Sequence, residues 1–365
     1  MSGVDEMKKY GLVLAGGGAK GAYQLGAWKA MRELGIEFSA VAGVSIGSIN
    51  GAFIASGCFE DAVEFWESAS IDKGVSITRE LKDPDKLFSF KNIPALFKEV
   101  IRNGGIDASP ADEFLREYIN EEKVRKSGVD FGMVTFLLSE FTPLEIFLKD
   151  IPEGRLVDYL LASSKVPGVS KIGPEEERYL DGGVYDNAPI GMLRKNGYNR
   201  IIVVDISVRK GFGHRLDFSG AEMIYIRPYD VEKLGAAFEF TDELFDRRVR
   251  MGYLDTRKAF GYLSGRRFYF EKDVFREMVV AFGADAVEQL EELAELTGVN
   301  DLNVYDKESF LNELKIKYID YKQELAAKAE ETEQKFYGPI IKKLSQLGAD
   351  DKYALAEAIL EDIIV

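Results

Sequence analysis

The stretch Val41–Asn50 constrains this chain most, because its pattern is typical of a strand that turns sharply into a helix. The turn is a G-x-S-x-G motif with Ser45 at its centre and Gly43 and Gly47 on either side. A tight strand-to-helix turn lifts a serine hydroxyl clear of its surroundings and makes it available as a nucleophile. The flanking glycines avoid side-chain collisions across the bend. The motif therefore predicts Ser45 as a nucleophile, with an ordinary turn in a chain of 35 glycines as the alternative.

The residues before this motif have the same strand, loop and helix order. Gly11–Ala15 predicts a buried strand, the loop Gly16–Gly21 follows, a helix ends at Gly35, and Ile36–Ala42 returns as the next strand. This alternation predicts a parallel α/β sheet, whose loops at the carboxyl ends of strands line one crevice. Both glycine motifs should face that crevice. Lys20 either adds positive charge there or is a solvated residue of the first helical turn.

The glycine loop supports two functional interpretations. Gly16, Gly18 and Gly21 fit the G-x-G-x-x-G pattern, and Glu37 follows, so a dinucleotide site is one of them. The other is an oxyanion hole, in which the bare amides of Gly16, Gly17 and Gly18 stabilise a negative oxygen at a helix N-terminus. A nucleophile elbow one crossover later favours the oxyanion hole. The residues after the last glycine exclude a Walker A loop.

A third loop carries the candidate general base. Asp181, at the end of a short predicted strand, is followed by Gly182 and Gly183, which puts a carboxylate on a close-packed loop. If Asp181 meets Ser45, it can accept the hydroxyl proton directly. The alternative is an aspartate that hydrogen-bonds its own turn. Asn187, two residues before a proline, predicts a helix cap and no part in the chemistry.

Composition narrows the function classes further. The net charge of −15 argues against nucleic acid as a partner, and one cysteine excludes an internal disulfide. The single histidine, His214, excludes a multi-histidine zinc site. The order Ser45, Asp181, His214 fits a catalytic triad, but one strand before the Ser45 strand is too little sheet for an α/β-hydrolase. No long apolar run is present, so we expect neither a secretion signal nor a spanning helix, and a cytoplasmic location.

Two further segments have distinct compositions. Leu87–Lys98 is apolar and basic, which predicts an amphipathic cover for the sheet or, alternatively, a lid or membrane-touching flap. The region 271–365 is acidic and predicts helices at Ala286–Leu296, Lys307–Phe336 and Tyr353–Ile364. Its apolar stripe predicts core positions, with a partner surface as the alternative, at Leu311, Leu314, Ile316, Ile319 and Leu325.

Four motifs together resemble the patatin-like phospholipase family in content, order and spacing. They are Gly16–Gly21, Gly43–Gly47, Ala162–Pro167 and Asp181–Gly183, and the similarity covers residues 8 to 265. The resemblance implies a three-layer α/β/α sandwich with a mostly parallel sheet, and a Ser-Asp dyad that hydrolyses acyl esters of lipids without metal or cofactor. It makes Ser45 the nucleophile, Asp181 the base and Gly16, Gly17 and Gly18 the oxyanion hole. The supporting motif residues are Lys20, Gly21, Gly43, Gly47, Gly182 and Gly183.

We therefore expect a patatin-like catalytic domain at 1–270 and an α-helical extension at 271–365. The expected function is a serine acyl hydrolase, either a phospholipase A or a lipid acyl esterase, acting through an acyl-enzyme on Ser45. A dinucleotide-binding protein and a non-catalytic lipid-binding protein of the same fold remain the alternatives. The expected partner is a lipid or acyl-ester substrate, and transient contact with a membrane surface and homo-oligomer formation are compatible with the sequence.

Overall fold

A computed structural model describes most of the chain. The described residues are 9–68, 109–137, 142–164, 170–172, 177–184, 186–207, 220–237, 239–333 and 352–364. The segment Leu87–Lys98, the triplet Lys165–Pro167 and His214 lie outside these ranges. Contacts divide the chain into two compact units, Met1–Thr256 and Arg257–Val365. The division into domains after residue 270 stays a prediction, and the compact units divide earlier than that.

A mixed sheet of eight strands forms the centre of the described part of the first unit. Its strands are β1 (Tyr10–Leu14), β2 (Phe38–Val44), β3 (Asp130–Leu137), β4 (Thr142–Phe147), β5 (Ser170–Ile172), β6 (Glu177–Asp181), β7 (Arg200–Val204) and β8 (Glu222–Ile226). The order is β5-β6-β3-β2-β1-β7-β8, with β4 paired to β3. The run from β3 to β8 through β1 is parallel, whereas β4, β5 and β6 pair antiparallel. The predicted mostly parallel sheet is confirmed.

The strand register brings the ends of three strands to one level. Leu14 at the end of β1 pairs with Gly43, and Val44 at the end of β2 pairs with Val134. On the other side of β3, Thr135 pairs with Asp181, the last residue of the antiparallel strand β6. Asp181 therefore lies level with the residue that follows β2, at a separation of two strand spacings of about 4.8 Å each.

Helices cover both faces of this sheet. They are α1 (Ala22–Glu33), α2 (Ile46–Ser56), α3 (Phe59–Ser68), α4 (Ser109–Tyr118), α5 (Glu121–Lys126), α6 (Leu156–Ser164), α7 (Ile190–Lys195) and α8 (Asp242–Ala259). On one face, Gly51 of α2 lies against the side chains of Val41 and Phe131. On the opposite face, Met192 of α7 packs in a buried cluster with Ala42. Because neighbouring residues of a strand point to opposite faces, the predicted three-layer sandwich is confirmed.

The second unit consists of helices and a small sheet. The helices are α9 (Val274–Phe282), α10 (Ala284–Thr297), α11 (Lys307–Glu333) and α12 (Ala354–Ile364), and the strands are β9 (Leu263–Ser264), β10 (Tyr269–Glu271) and β11 (Val304–Tyr305). The helical extension is as predicted, whereas the sequence did not predict these three short strands. The helices in the described ranges include none that is long and apolar enough to cross a membrane.

The apolar stripe of α11 is only partly a core stripe. Leu311 and Leu314 are buried among the aromatic residues of this unit, as predicted. Ile316, Ile319 and Leu325 are exposed, with 61%, 41% and 38% of their surface accessible. The prediction was wrong for these three residues. Ile316 lies about 200° around the helix from Leu314, and Ile319 and Leu325 come after Tyr318, the last residue of the helix that packs against this core among those described.

Candidate active site

Ser45 occupies the sharp turn between β2 and α2. Its backbone has φ 55° and ψ −132°, a region that favours glycine, and among the described non-glycine residues only Asp273 shares a positive φ. Such strain persists only where the surroundings hold it. A Cβ on Gly43 would lie 2.2 Å from the carbonyl oxygen of Gly47, and one on Gly47 would lie 2.3 Å from that of Leu14. Both flanking glycines are therefore sterically required.

A buried serine holds the nucleophile turn from a third element. The Ser45 amide donates to Ser163 Oγ at 3.1 Å, and Ser163 Oγ donates to the Val134 carbonyl oxygen of β3 at 2.7 Å. Ser163, on α6, is fully buried. At the helical end of the turn, Ser48 Oγ donates to the Ser45 carbonyl oxygen at 2.7 Å. These bonds fix the Ser45 backbone on both sides.

The Asp181 carboxyl faces the Ser45 side chain. Its Oδ1 accepts a hydrogen bond from the Gly183 amide at 2.7 Å, and the residue is only 3% exposed. Burial raises the pKa of Asp181 to about 6, and the hydrogen bonds from Gly183 and from the Ser45 side chain oppose this rise. Oδ2 is buried and has no partner at ordinary hydrogen-bond distance among the described residues. The two side chains are therefore neighbours, in a contact looser than a tight hydrogen bond.

The glycine loop lies against the nucleophile. A Cβ on Gly16 would lie 3.0 Å from Ser45 Cβ, so Gly16 leaves room for the serine. Gly18, at φ 57°, begins a 3₁₀ turn that leads into α1. A side chain there would also meet the carbonyl oxygen of Ala237 at 2.2 Å. The loop thus approaches both the Ser45 turn and the segment around Ala237 through bare backbone.

Several amides of this loop already have acceptors. The Gly16 amide donates to the Asn187 carbonyl oxygen at 3.2 Å, and the Ala19 amide donates to that of Ala237 at 2.7 Å. In the described part of the chain, the amides of Gly17 and Gly18 have no backbone acceptor. These are the two amides of the predicted oxyanion hole that remain available for a ligand oxygen.

The other predicted motif residues surround the same loops. Lys20 is buried, so the interpretation as a solvated lysine was wrong. A Cβ on Gly21 would lie 2.5 Å from Ile46, and one on Gly182 would lie 2.2 Å from the Val134 carbonyl oxygen. The structure therefore brings all three predicted loops to one end of the sheet, around Ser45.

Asn187 does not cap a helix, so that prediction was wrong. Helix α7 begins at Ile190, with Pro189 in the cap position. The Asn187 side chain instead binds the glycine loop, and its Nδ2 donates to the carbonyl oxygen of Gly16 at 3.1 Å. The proline two residues later suggested a helix start. The Asn187 side chain binds the Gly16 carbonyl oxygen instead of a helix amide, and Gly16 lies on a loop that is distant in sequence.

A buried polar network supports the glycine loop from behind, and the sequence analysis missed it. Asn50 Nδ2 donates to the Gly21 carbonyl oxygen at 3.0 Å and to Gln24 Oε1 at 2.8 Å. Gln24 Nε2 donates to the Ala15 carbonyl oxygen at 2.6 Å, and Trp66 Nε1 donates to Asn50 Oδ1 at 3.0 Å. The sequence signal that could have predicted this network is the presence of amide side chains in otherwise apolar helices, because a buried amide needs hydrogen-bond partners.

The chain is similar to parts of much longer proteins whose names include lysophospholipase or phospholipase. It is 27% identical over 205 residues to Lysophospholipase NTE1 of Cryptococcus neoformans var. neoformans serotype D, covering 54% of this chain and 11% of that protein. It is 28% identical over 217 residues to Lysophospholipase nte1 of Aspergillus oryzae, covering 57% and 13%. Patatin-like phospholipase domain-containing protein ZK370.4 of Caenorhabditis elegans is 28% identical over 200 residues, 54% of this chain. The chain thus spans 11% to 13% of the length of these relatives.

Two solved structures and one family model also match. VipD from Legionella pneumophila aligns with a TM-score of 0.40 at 15% identity, over 95% of this chain and 88% of that one. ExoU from Pseudomonas aeruginosa, solved with SpcU, aligns with a TM-score of 0.36 at 16% identity, over 85% and 68%. The family model described as Patatin-like phospholipase matches residues 12–194, a range that contains both glycine motifs, Ser45 and Asp181. The chain therefore belongs to the patatin-like phospholipase family.

Proposed function

We propose that this protein is a serine acyl hydrolase that cleaves lipid acyl esters through a Ser-Asp dyad. The observation that carries the proposal is the buried Asp181 carboxyl beside the Ser45 side chain, with a pKa of about 6. A general base works best when its pKa lies near the operating pH, and this carboxylate is deprotonated at neutral pH yet more basic than an ordinary aspartate. Membership of the patatin-like phospholipase family and the relatives named lysophospholipase support the same reaction class.

The reaction has two halves that share one base. In the first, Asp181 accepts the Ser45 hydroxyl proton while Ser45 Oγ attacks the ester carbonyl, and the leaving alcohol then takes that proton from Asp181. In the second, a water molecule gives a proton to Asp181 and attacks the acyl-enzyme. The fatty acid leaves as Ser45 recovers its proton. No net proton remains on the enzyme after the two halves.

The amides of Gly17 and Gly18 are the proposed oxyanion donors. A negative charge develops on the ester oxygen in both halves, and amides that are already oriented stabilise it without reorganisation. Gly16 was also predicted as a donor, but its amide is engaged with the Asn187 carbonyl oxygen. We therefore assign Gly16 to the fit of the loop against Ser45.

The dinucleotide alternative is less well supported by the loop. A pyrophosphate cradle needs several free amides at the helix start, and those of Gly16 and Ala19 are hydrogen-bonded within the protein. The carbonyl oxygen of Ala237 also occupies the space beside Gly18. Calorimetry with NAD tests this alternative, since measurable binding without ester hydrolysis would favour it over the hydrolase.

A labelling experiment tests the hydrolase. A fluorophosphonate probe should label the wild-type protein and leave Ser45→Ala unlabelled, because the probe reacts with an activated serine. Hydrolysis of lysophospholipids is the matching turnover assay, since the relatives carry that name. We expect Asp181→Asn to lose turnover and His214→Ala to retain most of it. The reverse result would contradict the dyad, and acyl-chain binding without labelling would favour a non-catalytic lipid-binding protein.

The remaining expectations stay predictions. They are a lipid or acyl-ester substrate, transient contact with a membrane surface, a cytoplasmic location and a homo-oligomer. The head group, the acyl position and the chain length are open to the same turnover assay, run on a panel of lipids with wild type and Ser45→Ala in parallel.

A further inference from the structure

Asn187 joins two loops that are far apart in sequence. Its Nδ2 donates to the Gly16 carbonyl oxygen at 3.1 Å, across 171 residues. Its own carbonyl oxygen accepts from the Gly16 amide at 3.2 Å. Both polar groups of the Gly16 backbone are thus bound to one residue. These two hydrogen bonds fix both the position and the orientation of the Gly16 peptide at the start of the glycine loop.

The side-chain oxygen of Asn187 lies beside two glycines, Gly16 and Gly183, each of which also lies beside a candidate catalytic residue. A Cβ on Gly16 would lie 2.6 Å from Asn187 Oδ1 and 3.0 Å from Ser45 Cβ. A Cβ on Gly183 would lie 2.8 Å from the same Oδ1 and 3.1 Å from Asp181 Oδ1. The carboxamide therefore occupies the space where the glycine loop, the Ser45 turn and the Asp181 loop approach one another.

The chemistry of this position requires a neutral donor. The Gly16 carbonyl oxygen can only accept, so the group that faces it must carry a hydrogen. A carboxylate in the same place would repel that oxygen, and it would add a second negative charge close to the Asp181 carboxyl. Like charges at short distance raise the pKa of a carboxyl. An amide satisfies the carbonyl without disturbing the base.

We infer that Asn187 is a positioning residue of the hydrolase, which locks the glycine loop to the Asp181 loop so that the oxyanion amides and the base keep a fixed relation around Ser45. The inference rests on the proposed function. A substitution of Asn187 keeps the backbone bond from the Gly16 amide and removes only the side-chain bond to the Gly16 carbonyl oxygen. The loss of that second bond lets the Gly16 peptide rotate, so that the next two amides move relative to the Ser45 hydroxyl. Preorganised donors contribute mainly to the transition state, so kcat falls more than KM rises.

Two substitutions separate the parts of this role. Asn187→Ala removes the donor without adding charge, and we expect kcat to fall about 10- to 100-fold with KM within about twofold of wild type. Asn187→Asp keeps the size and adds charge, and we expect a similar fall together with an upward shift of about one unit in the apparent pKa of kcat/KM. The assay uses a short nitrophenyl ester over a pH series.

A matched control comes from the same segment. Asn196 is exposed, and its Nδ2 donates to the carbonyl oxygen of Met192 at 2.9 Å at the end of α7. We expect Asn196→Asp to retain wild-type kcat and an unchanged pH profile. Thermal unfolding of each variant checks that the fold is kept.

Three outcomes would overturn the inference, and a fourth would overturn the proposed function itself. An unchanged kcat in Asn187→Ala, or a pH profile that does not move in Asn187→Asp, would overturn it. A loss of kcat in proportion to a loss of folded protein in all variants, Asn196→Asp included, would also overturn it, because the role would then be structural. If wild type itself neither labels with the fluorophosphonate nor turns over, the hydrolase proposal fails first, and that result is distinct from either.

Discussion

The amide of Ser45 donates a hydrogen bond of 3.1 Å to the hydroxyl oxygen of Ser163, 118 residues further along the chain. Ser163 in turn donates to Val134 on the neighbouring strand at 2.7 Å. The strained turn of the nucleophile is therefore held to the sheet through one buried hydroxyl. A strained backbone returns to a commoner conformation when such restraints are lost, so the position of the Ser45 hydroxyl depends on Ser163.

Replacement of Ser163 by alanine should lower kcat while it leaves the KM for the substrate almost unchanged. Ser163→Ala leaves the partly buried Ser45 amide without its Ser163 acceptor, which costs about 1 kcal/mol of unfolding free energy. We expect kcat to fall about 10-fold or more, because the nucleophile loses its position, while KM changes little. Ser164→Ala is the control, since the bond that Ser164 Oγ makes to the described residues stays within its own helix, to the Leu160 carbonyl oxygen at 2.7 Å. Equal activities of the two variants would contradict the prediction.

The pH dependence of activity should report the base. Asp181 has to be deprotonated to accept the Ser45 proton, and its pKa is raised to about 6 by burial. We therefore expect kcat/KM to be level above pH 7 and to fall tenfold per unit at low pH, with an apparent pKa near 6. Measurement between pH 4.5 and 9 with a nitrophenyl ester checks this. A level profile down to pH 4.5 would contradict Asp181 as the base.

The same carboxyl should make the folded protein less stable at neutral pH. Its pKa rises from 3.8 in the reference state to about 6 when folded, so the folded state binds the proton more tightly. Stability is lost as pH rises through this window and stays lower above it, by about 3 kcal/mol. Asp181→Asn removes the buried charge. We expect this inactive variant to unfold at a higher temperature than wild type at pH 8, with the gap closing below pH 4.

Calorimetric or fluorescence melting curves at pH 8 and at pH 4 measure the difference in unfolding temperature between Asp181→Asn and wild type. Glu153→Gln serves as the control, because Glu153 is exposed and its carboxylate stays in water in the folded state. We expect no pH-dependent gap for that variant. A gap of constant size for Asp181→Asn at both pH values would mean that packing, and not the buried charge, sets its stability.

Backbone strain at Ser45 gives a separate stability prediction. The turn has φ 55° and ψ −132°, which glycine adopts without cost and alanine does not. Ser45→Gly and Ser45→Ala both remove the nucleophile, but only glycine releases the strain, which is about 1–3 kcal/mol for such a conformation. We expect Ser45→Gly to resist urea better than Ser45→Ala. Equal midpoints for the two variants would indicate an unstrained turn.

The parts of the fold and site that the sequence predicted depend on residues that are close together along the chain. The G-x-S-x-G turn follows from local sterics, since the backbones of Gly43 and Gly47 come so close in the bend that a side chain at Gly43 would collide with Gly47. The alternation of apolar strands and amphipathic helices likewise specified the layers of the sandwich. In each case the residues that make the deciding contact are close together in the sequence, so the local pattern of residue types predicts the contact.

The parts that the sequence did not predict depend on partners distant along the chain. Ser163 and Asn187 hold the site through bonds that span 118 and 171 residues. The direction of β6 is another such feature, because Asp181 reaches the level of Ser45 through an antiparallel pairing with β3. Apolar patterning indicates that a strand exists, but it does not give the direction or the register of its pairing.

A buried arginine should be essential to the segment that covers the glycine loop. Arg248 is 1% exposed, and its guanidinium donates to the carbonyl oxygens of Leu234, Ala236 and Glu239 at 2.7, 3.2 and 2.8 Å. Within that segment, Ala237 accepts the Ala19 amide. Arg248→Met leaves these carbonyls unsatisfied, so we expect a loss of about 3 kcal/mol and a lower kcat. The exposed Arg250→Met on the same helix should match wild type in urea unfolding, and equal midpoints for both variants would refute this role of Arg248.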